Sequence, residues 1–355
     1  MDKKLRIGII GTGGIAHGHM KAYLRMEDVE IIGASDIVPG KARAFLDEFG
    51  LNDVPAFENN DELLALKPDG VSVCTYNTTH HVCACAAMKA GANVLCEKPA
   101  ARTYAEAEAM QKTAQETGKI LNIGVVNRFN TAVNEIKKLI DAGELGEVYH
   151  VYVSFRAHRS IPGLGGAFTT KEIAGGGALI DWGVHYLDIV MYCTDDPKPL
   201  TVSAKAFSKL GVDMPNYVYN GMWSEDTKDL NGTYDVDDSV VGVIRTSGPV
   251  ISFNGAWAQN IGVSETFIDF MGDKGGIRLK YCGDFTIYST KDGMLTETKV
   301  EAKTTNMYEN EINDFIRCVR TGEKNRQHID YAVETSKILQ AIYDSSDSHR
   351  EIIIK

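Results

Sequence analysis

Short runs of β-branched and other apolar residues recur along the first third of the chain, at residues 5–11, 29–36, 71–76, 93–96 and 120–126. Longer stretches with apolar residues three or four positions apart separate them, at 15–26, 40–49, 80–90 and 104–117. The short runs fit strands buried on both faces and the longer ones amphipathic helices, so the pattern predicts a parallel sheet covered by helices. Gly50, Gly91 and Gly118 stand where the last three helices end, the place a left-handed C-cap favours. Residues 1–126 therefore read as a doubly wound α/β domain.

After one more amphipathic helix, at 131–142, the texture changes. Residues 147–155 alternate as a half-buried strand does, and strand-like runs follow at 200–207, 240–245, 250–258, 266–271 and 276–281. With no helix between these later runs, they are expected to pair antiparallel in one large open sheet. That makes residues 127–355 an α+β domain. Helices at 308–321 and 331–345 follow, placed to return to the first domain. Residues 213–238, rich in Asn, Asp, Tyr and Gly, read as a long surface insertion.

Length agrees with two domains, because 355 residues exceed the roughly 250–300 at which single cores stop growing. A hydrophobic share of 44 % allows a sizeable core, and a net charge of -11 argues against nucleic-acid partners. No run approaches the roughly 18 apolar residues of a membrane span, and no signal-peptide core precedes the first strand, so a cytoplasmic protein is expected. The seven cysteines are odd in number, sit mostly in apolar runs and form no CxxC pair, which fits reduced thiols and no metal centre.

The first strand opens into Gly11-Thr12-Gly13-Gly14-Ile15-Ala16, a GxGxxA turn between strand and helix. Gly11 permits the tight turn, Gly13 lets backbone approach a pyrophosphate, Gly14 and Ile15 open the helix, and Ala16 allows close packing. Asp36, twenty residues past Ala16, ends the second strand. A carboxylate there accepts hydrogen bonds from the adenosine ribose and repels the extra phosphate of NADP, so NAD is the expected cofactor. His17 and His19 are two apart, share no helix face and have no ligand cluster beside them in the sequence, so they read as packing residues rather than metal ligands.

Ligands of doubly wound sheets sit beyond the carboxyl ends of the strands. That address belongs to Thr75, Asn77 and His80 after the third run, and to Glu97, Lys98 and Pro99 after the fourth. Further on, Gly175-Gly176-Gly177 precedes a helix that carries Asp181, His185 and Asp188 at i, i+4 and i+7, on one stripe. A carboxylate one turn from a histidine orients the ring and tunes it for proton transfer.

Taken together, these residues resemble the Gfo/Idh/MocA oxidoreductases over essentially the whole chain. The likeness rests on the glycine turn with Asp36, the 75–80 loop and Glu97-Lys98-Pro99. It rests equally on Asn127-Arg128-Phe129, the turn at 142–146, and the helix with Asp181 and His185. It implies an N-terminal Rossmann domain, a C-terminal sheet whose face carries the substrate, and homodimers or homotetramers formed through that sheet. It implies that Lys98 holds the reacting oxygen beside the nicotinamide, that His185 is the general acid/base and that Asp181 is its partner. Glu97 is implied to contact the nicotinamide ribose, with Thr75, Asn77, His80, Asn127 and Arg128 also in the cofactor set. Tyr76 stands where the family usually has proline.

Residues 155–171 are similar to the loop of members that act on glucosides and anhydrosugars. That likeness implies Arg159 and Lys171 as hydroxyl donors and Trp257 as a stacking surface. The expected activity is NAD-dependent oxidation of a ring secondary hydroxyl on a sugar, glycoside or cyclitol. Two alternatives stand beside it: an NAD-dependent glycosidase or lyase that oxidises the sugar transiently, and a non-enzymatic NAD or sugar sensor. Retention of Lys98, Asp181 and His185 weighs against the sensor.

Overall fold

The apolar runs of the first third become β1 (Leu5–Ile10), β2 (Val29–Ser35), β3 (Ala56–Phe57), β4 (Gly70–Val73), β5 (Asn93–Glu97) and β6 (Leu121–Gly124). They are joined by α1 (Gly14–Tyr23), α2 (Lys41–Glu48), α3 (Asn60–Ala65), α4 (Asn77–Lys89) and α5 (Tyr104–Thr117). This computed structural model describes residues 3–221, 227–303 and 305–354, and the chain divides into two units. The first holds 1–126 with 306–333, the second 127–305 with 334–355.

In the first unit all strands are parallel, in the order β3-β2-β1-β4-β5-β6. The order reverses between β1 and β4, the point beyond whose carboxyl ends ligands of such sheets bind. Two elements were not expected from periodicity: β3 has two residues and α3 has six, both too short to show a period. Helix α4 begins three residues before the expected position. Helix α5 keeps its predicted bounds because both ends carry local signals: the Thr103 side chain accepts from the Glu106 N–H, and Gly118 takes a φ of 65°.

The second unit opens with α6 (Thr131–Asp141), β7 (Val148–Arg156) and α7 (Lys171–Ala174). A π-helical turn over Leu179–Gly183 runs directly into α8 (Val184–Cys193). Strands β8 (Pro199–Phe207), β9 (Ser239–Thr246), β10 (Val250–Ala256), β11 (Glu265–Gly272), β12 (Gly275–Lys280), β13 (Phe285–Lys291) and β14 (Met294–Val300) follow. With β15 (Ile352–Ile353) they form a nine-stranded sheet, in the order β14-β13-β12-β11-β7-β10-β9-β8-β15. The sheet is mainly antiparallel, as expected; β7 and β10 alone pair parallel, at its middle, with α8 lying between them in the chain. The β13–β14 hairpin was also missed, since its mostly half-buried and exposed positions carry no apolar alternation.

Leu187, Ile189, Val190 and Met191 of α8 are buried in one core with Val151, Val153, Phe253, Ile268 and Phe270 of the sheet. Each such side chain contributes about 1.5–3 kcal/mol of burial, which anchors the helix that carries the chemistry. Helix α9 (Met307–Thr321) belongs to the first unit, where Ile312, Phe315 and Ile316 join Ile7, Ile9, Met20 and Tyr23. Helix α10 (Ile329–Ser348) begins in the first unit and ends in the second. No helix among the described residues is long and apolar enough to cross a membrane.

Candidate functional site

The glycine turn is shaped by close approach. A Cβ on Gly11 would lie 2.8 Å from the Cys74 carbonyl, and its φ of +83° adds strain for any other residue. Above Gly13 and Gly14 a Cβ would meet nothing within 4 Å. Helix α1 starts at Gly14 with no side-chain cap and no acidic residue in its first turn. An uncapped, positive helix end beside open space fits the pyrophosphate of a dinucleotide. Ile15 packs on the core beneath it.

Asp36 faces this turn. Its Oδ2 accepts from the Thr12 N–H at 2.9 Å and the Thr12 hydroxyl at 2.8 Å, and lies 3.2 Å from Lys41 Nζ. Its Oδ1 accepts from the Val38 N–H at 3.0 Å. Burial works against the charge, but these donors win and hold the carboxyl below its usual range. Asp36 is thus an ionised acceptor locked to the glycine turn, as an NAD ribose requires.

The 75–80 loop keeps its geometry despite Tyr76. Tyr76 adopts φ -72° and ψ 154°, a conformation proline itself takes, and Asn77 follows as the first residue of α4. His80 is fully buried, with its ring nitrogens 2.8 Å from the Pro99 carbonyl and 3.1 Å from the Thr75 carbonyl. It ties the loop after β4 to the loop after β5. Burial, the largest influence, lowers its pKa, so the ring is neutral.

Glu97 is buried as well. Its carboxylate turns inward, with Oε1 2.9 Å from His19 Nε2 and Oε2 accepting the Lys98 N–H at 3.1 Å. Lys98 itself remains half-buried at the end of β5. His19, read as a packing residue, is a partner in a buried group with Glu97 and Glu311, the one cluster of metal-ligand type among the described residues.

In the second unit, the π turn replaces the expected α-helical start. Val184 donates to the carbonyl of Leu179, five residues back, and the wider turn breaks the predicted stripe. Asp181 faces Trp257, whose Nε1–H donates to Oδ2 at 3.2 Å. His185 faces Asn127, with the side-chain amide 3.3 Å from Nδ1. Asp188 turns inside to Arg128, which it grips through Nε and Nη2 at 2.8–3.1 Å.

That grip buries Arg128, which is 1 % exposed and also paired with Asp196. Asn127 is likewise engaged: its Nδ2 donates to Tyr281 Oη at 3.1 Å as well as facing the imidazole. Asn127 therefore sets which His185 nitrogen carries the proton. Trp257 has no exposed surface and anchors Asp181 through its indole N–H.

Asp237 is the residue that sequence reasoning missed. Its carboxylate accepts from Gly177 N–H at 2.8 Å, Leu179 N–H at 2.9 Å and Tyr343 Oη–H at 2.7 Å, and its carbonyl accepts from Ala178 N–H. A Cβ on Gly177 would fall 1.9 Å from that carbonyl, which explains a glycine there. The only signal was the acidic pair Asp237-Asp238 directly before a β-branched run.

The expected surface insertion is mostly exposed but anchored at two points. Tyr217 and Val236 pack with Ile161, Leu164, Ala178 and Trp257, so it backs the 155–171 loop; its residues 222–226 lie outside the described residues. Arg159 lies over the Tyr217 ring and donates to Asn260 at 2.5 Å, while the Lys171 side chain is exposed.

The model of an oxidoreductase family with an NAD-binding Rossmann fold matches residues 5–125, and that of the GFO/IDH/MocA C-terminal domain matches 133–278. The chain is similar to D-glucoside 3-dehydrogenase of Escherichia coli, 31% identical over 348 residues, 97% of this chain and 96% of that protein. It is also similar to inositol 2-dehydrogenase of Salmonella typhimurium, 31% identical over 194 residues, 54% of this chain and 55% of that protein. Among solved structures, levoglucosan dehydrogenase in complex with NADH and levoglucosan has a TM-score of 0.85 at 20% identity, covering 99% of this chain and 100% of that one.

Proposed function

Because the chain belongs to the Gfo/Idh/MocA family of NAD-binding oxidoreductases, we propose that it transfers a hydride between NAD and a ring secondary hydroxyl of a sugar, glycoside or cyclitol. The observation that carries this reading is the paired support of the second unit: Trp257 holds Asp181 and Asn127 holds His185, on adjoining turns. A buried carboxylate and an oriented imidazole are what proton transfer from a hydroxyl needs.

NAD, when bound, supplies the hydride acceptor; Gly11, Gly13, Gly14 and Asp36 are the residues to hold it, with Thr75 and Asn77. Lys98 holds the reacting oxygen through its ammonium group and favours the developing alkoxide. His185 removes the hydroxyl proton, and Asp181 binds a neighbouring hydroxyl and favours the imidazolium. Arg159 and Lys171 serve as hydroxyl donors to the sugar. Similarity to the glucoside 3-dehydrogenase over nearly the whole chain favours a pyranoside. The same reading takes the protein as cytoplasmic and as a homodimer or homotetramer formed through the nine-stranded sheet.

The test is purified protein with NAD and a panel of myo-inositol, glucose, methyl glucosides and levoglucosan, following NADH absorbance and product release together. NADH formed with one group establishes the dehydrogenase and its substrate class. Bond cleavage without NADH points to transient oxidation instead, and NAD binding with neither signal refutes the proposal.

A further inference from the structure

Behind Lys98, inside the first unit, three ionisable side chains from distant parts of the chain converge: His19 of α1, Glu97 at the end of β5 and Glu311 of α9. Their ligand atoms all lie within 4.8 Å of one another, and His19 and Glu311 have no exposed surface. His19 lies 2.9 Å from Glu97 through Nε2 and 3.0 Å from Ser72 Oγ through Nδ1, and Ser72 in turn meets the Tyr23 hydroxyl at 2.7 Å. Both oxygens of Glu311 are buried and lack a hydrogen-bond partner among the described residues.

Two carboxylates cannot both stay ionised in such a pocket with a single imidazolium to balance them. His19 balances Glu97, which it touches. Glu311 touches no cation, so it keeps its proton. The other titratable groups facing the cluster are Tyr23 of α1, Cys74 after β4 and Lys98, and none of them ion-pairs with Glu311. Burial raises the Glu311 carboxyl well above its usual range, with the nearby Glu97 charge adding to it. Glu97 is lowered because His19 outweighs burial.

We propose that Glu311 is a positioning residue for the reaction: as an un-ionised acid it donates a hydrogen bond to Glu97, and so fixes the carboxylate that holds the Lys98 N–H. The ligand atoms of the two carboxyls lie within 4.8 Å of each other, so forming this bond requires a side-chain rotation of Glu311. The inference rests on the reading of Lys98 as the residue that holds the reacting oxygen.

Three variants test it in NAD-loaded enzyme, with levoglucosan and methyl glucosides as substrates: E311Q, E311L and K98M. An un-ionised carboxyl carbonyl band in the infrared difference of wild type minus E311Q at neutral pH supports the proposal; its absence overturns it. A carboxyl with a raised pKa stabilises the fold below 4.5 and loses that stability as pH rises. E311Q should therefore gain on wild type in urea unfolding as pH rises above 4.5 and match it below. Parallel curves overturn the assignment. E311L, similar in volume but with no donor, should lower kcat about tenfold or more without weakening NADH binding, and E311Q should restore it.

E311L at the wild-type rate with K98M inactive removes only the role of Glu311, whereas K98M at the wild-type rate removes the Lys98 reading itself. A stoichiometric divalent ion in wild type that is missing from E311Q shows a metal site in place of the shared proton and overturns the proposal.

Discussion

The indole N–H of Trp257 reaches Asp181 Oδ2 at 3.2 Å from a side chain with no exposed surface. Tryptophan joins a large apolar body to a single rim donor, so one residue both fills the cluster of Ile161, Leu164, Ala178 and Tyr217 and aims a hydrogen bond. W257F keeps most of the packing and removes the donor. Stability should fall by about 1–3 kcal/mol in denaturant unfolding, and kcat by about tenfold. An unchanged kcat would separate Trp257 from the chemistry.

Asn127 governs the proton on His185. In N127D a carboxylate replaces the amide, and an adjacent negative charge favours the imidazolium. The acid limb of the kcat/KM profile for alcohol oxidation should therefore move to higher pH, because the neutral base appears later. A profile that does not move excludes His185 as the titrating base.

Arg128 and Asp188 hold α8 from within. Removing one partner of a buried pair leaves the other charge uncompensated, so D188N should cost about 3–5 kcal/mol in urea unfolding. NADH titration of the folded D188N protein should match wild type. Weakened NADH binding would place Arg128 in the cofactor set.

Asp36 links cofactor choice to acid stability. D36S should weaken NADH in fluorescence titration and narrow its advantage over NADPH. The folded carboxyl titrates below its ordinary value of 3.8, so its contribution is present above 3.8 and is lost as pH falls through the folded value. D36N should accordingly unfold with a flatter dependence on pH below 3.8. Equal acid limbs would show that the Thr12 bonds add no net stability.

Much of the first unit was legible because its signals act between near neighbours in sequence. Gly118 caps α5 with its own φ, Gly11 makes the turn, and Asp36 lies where β2 ends. Even Tyr76, which departs from the family pattern, takes the extended backbone that the pattern requires. In the second unit the alternation of β7 to β12 was readable, while β13 and β14 show no period because most of their positions are half-buried or exposed.

The facing of side chains was not legible. Glu97, His80 and Arg128 carry the residue types and addresses of cofactor ligands, yet each turns inward. Their partners come from elsewhere in the chain: Glu97 meets His19, 78 positions away, and Arg128 meets Asp188, 60 positions away. A buried charge must be matched, and whichever group packing delivers decides where it points. From the sequence alone came the dinucleotide turn, the ionised Asp36 at its side and the alternation of sheet and helix, because periodicity, φ and capping are local. Only the tertiary structure decided which polar residues pair with one another, because that depends on contacts no spacing encodes.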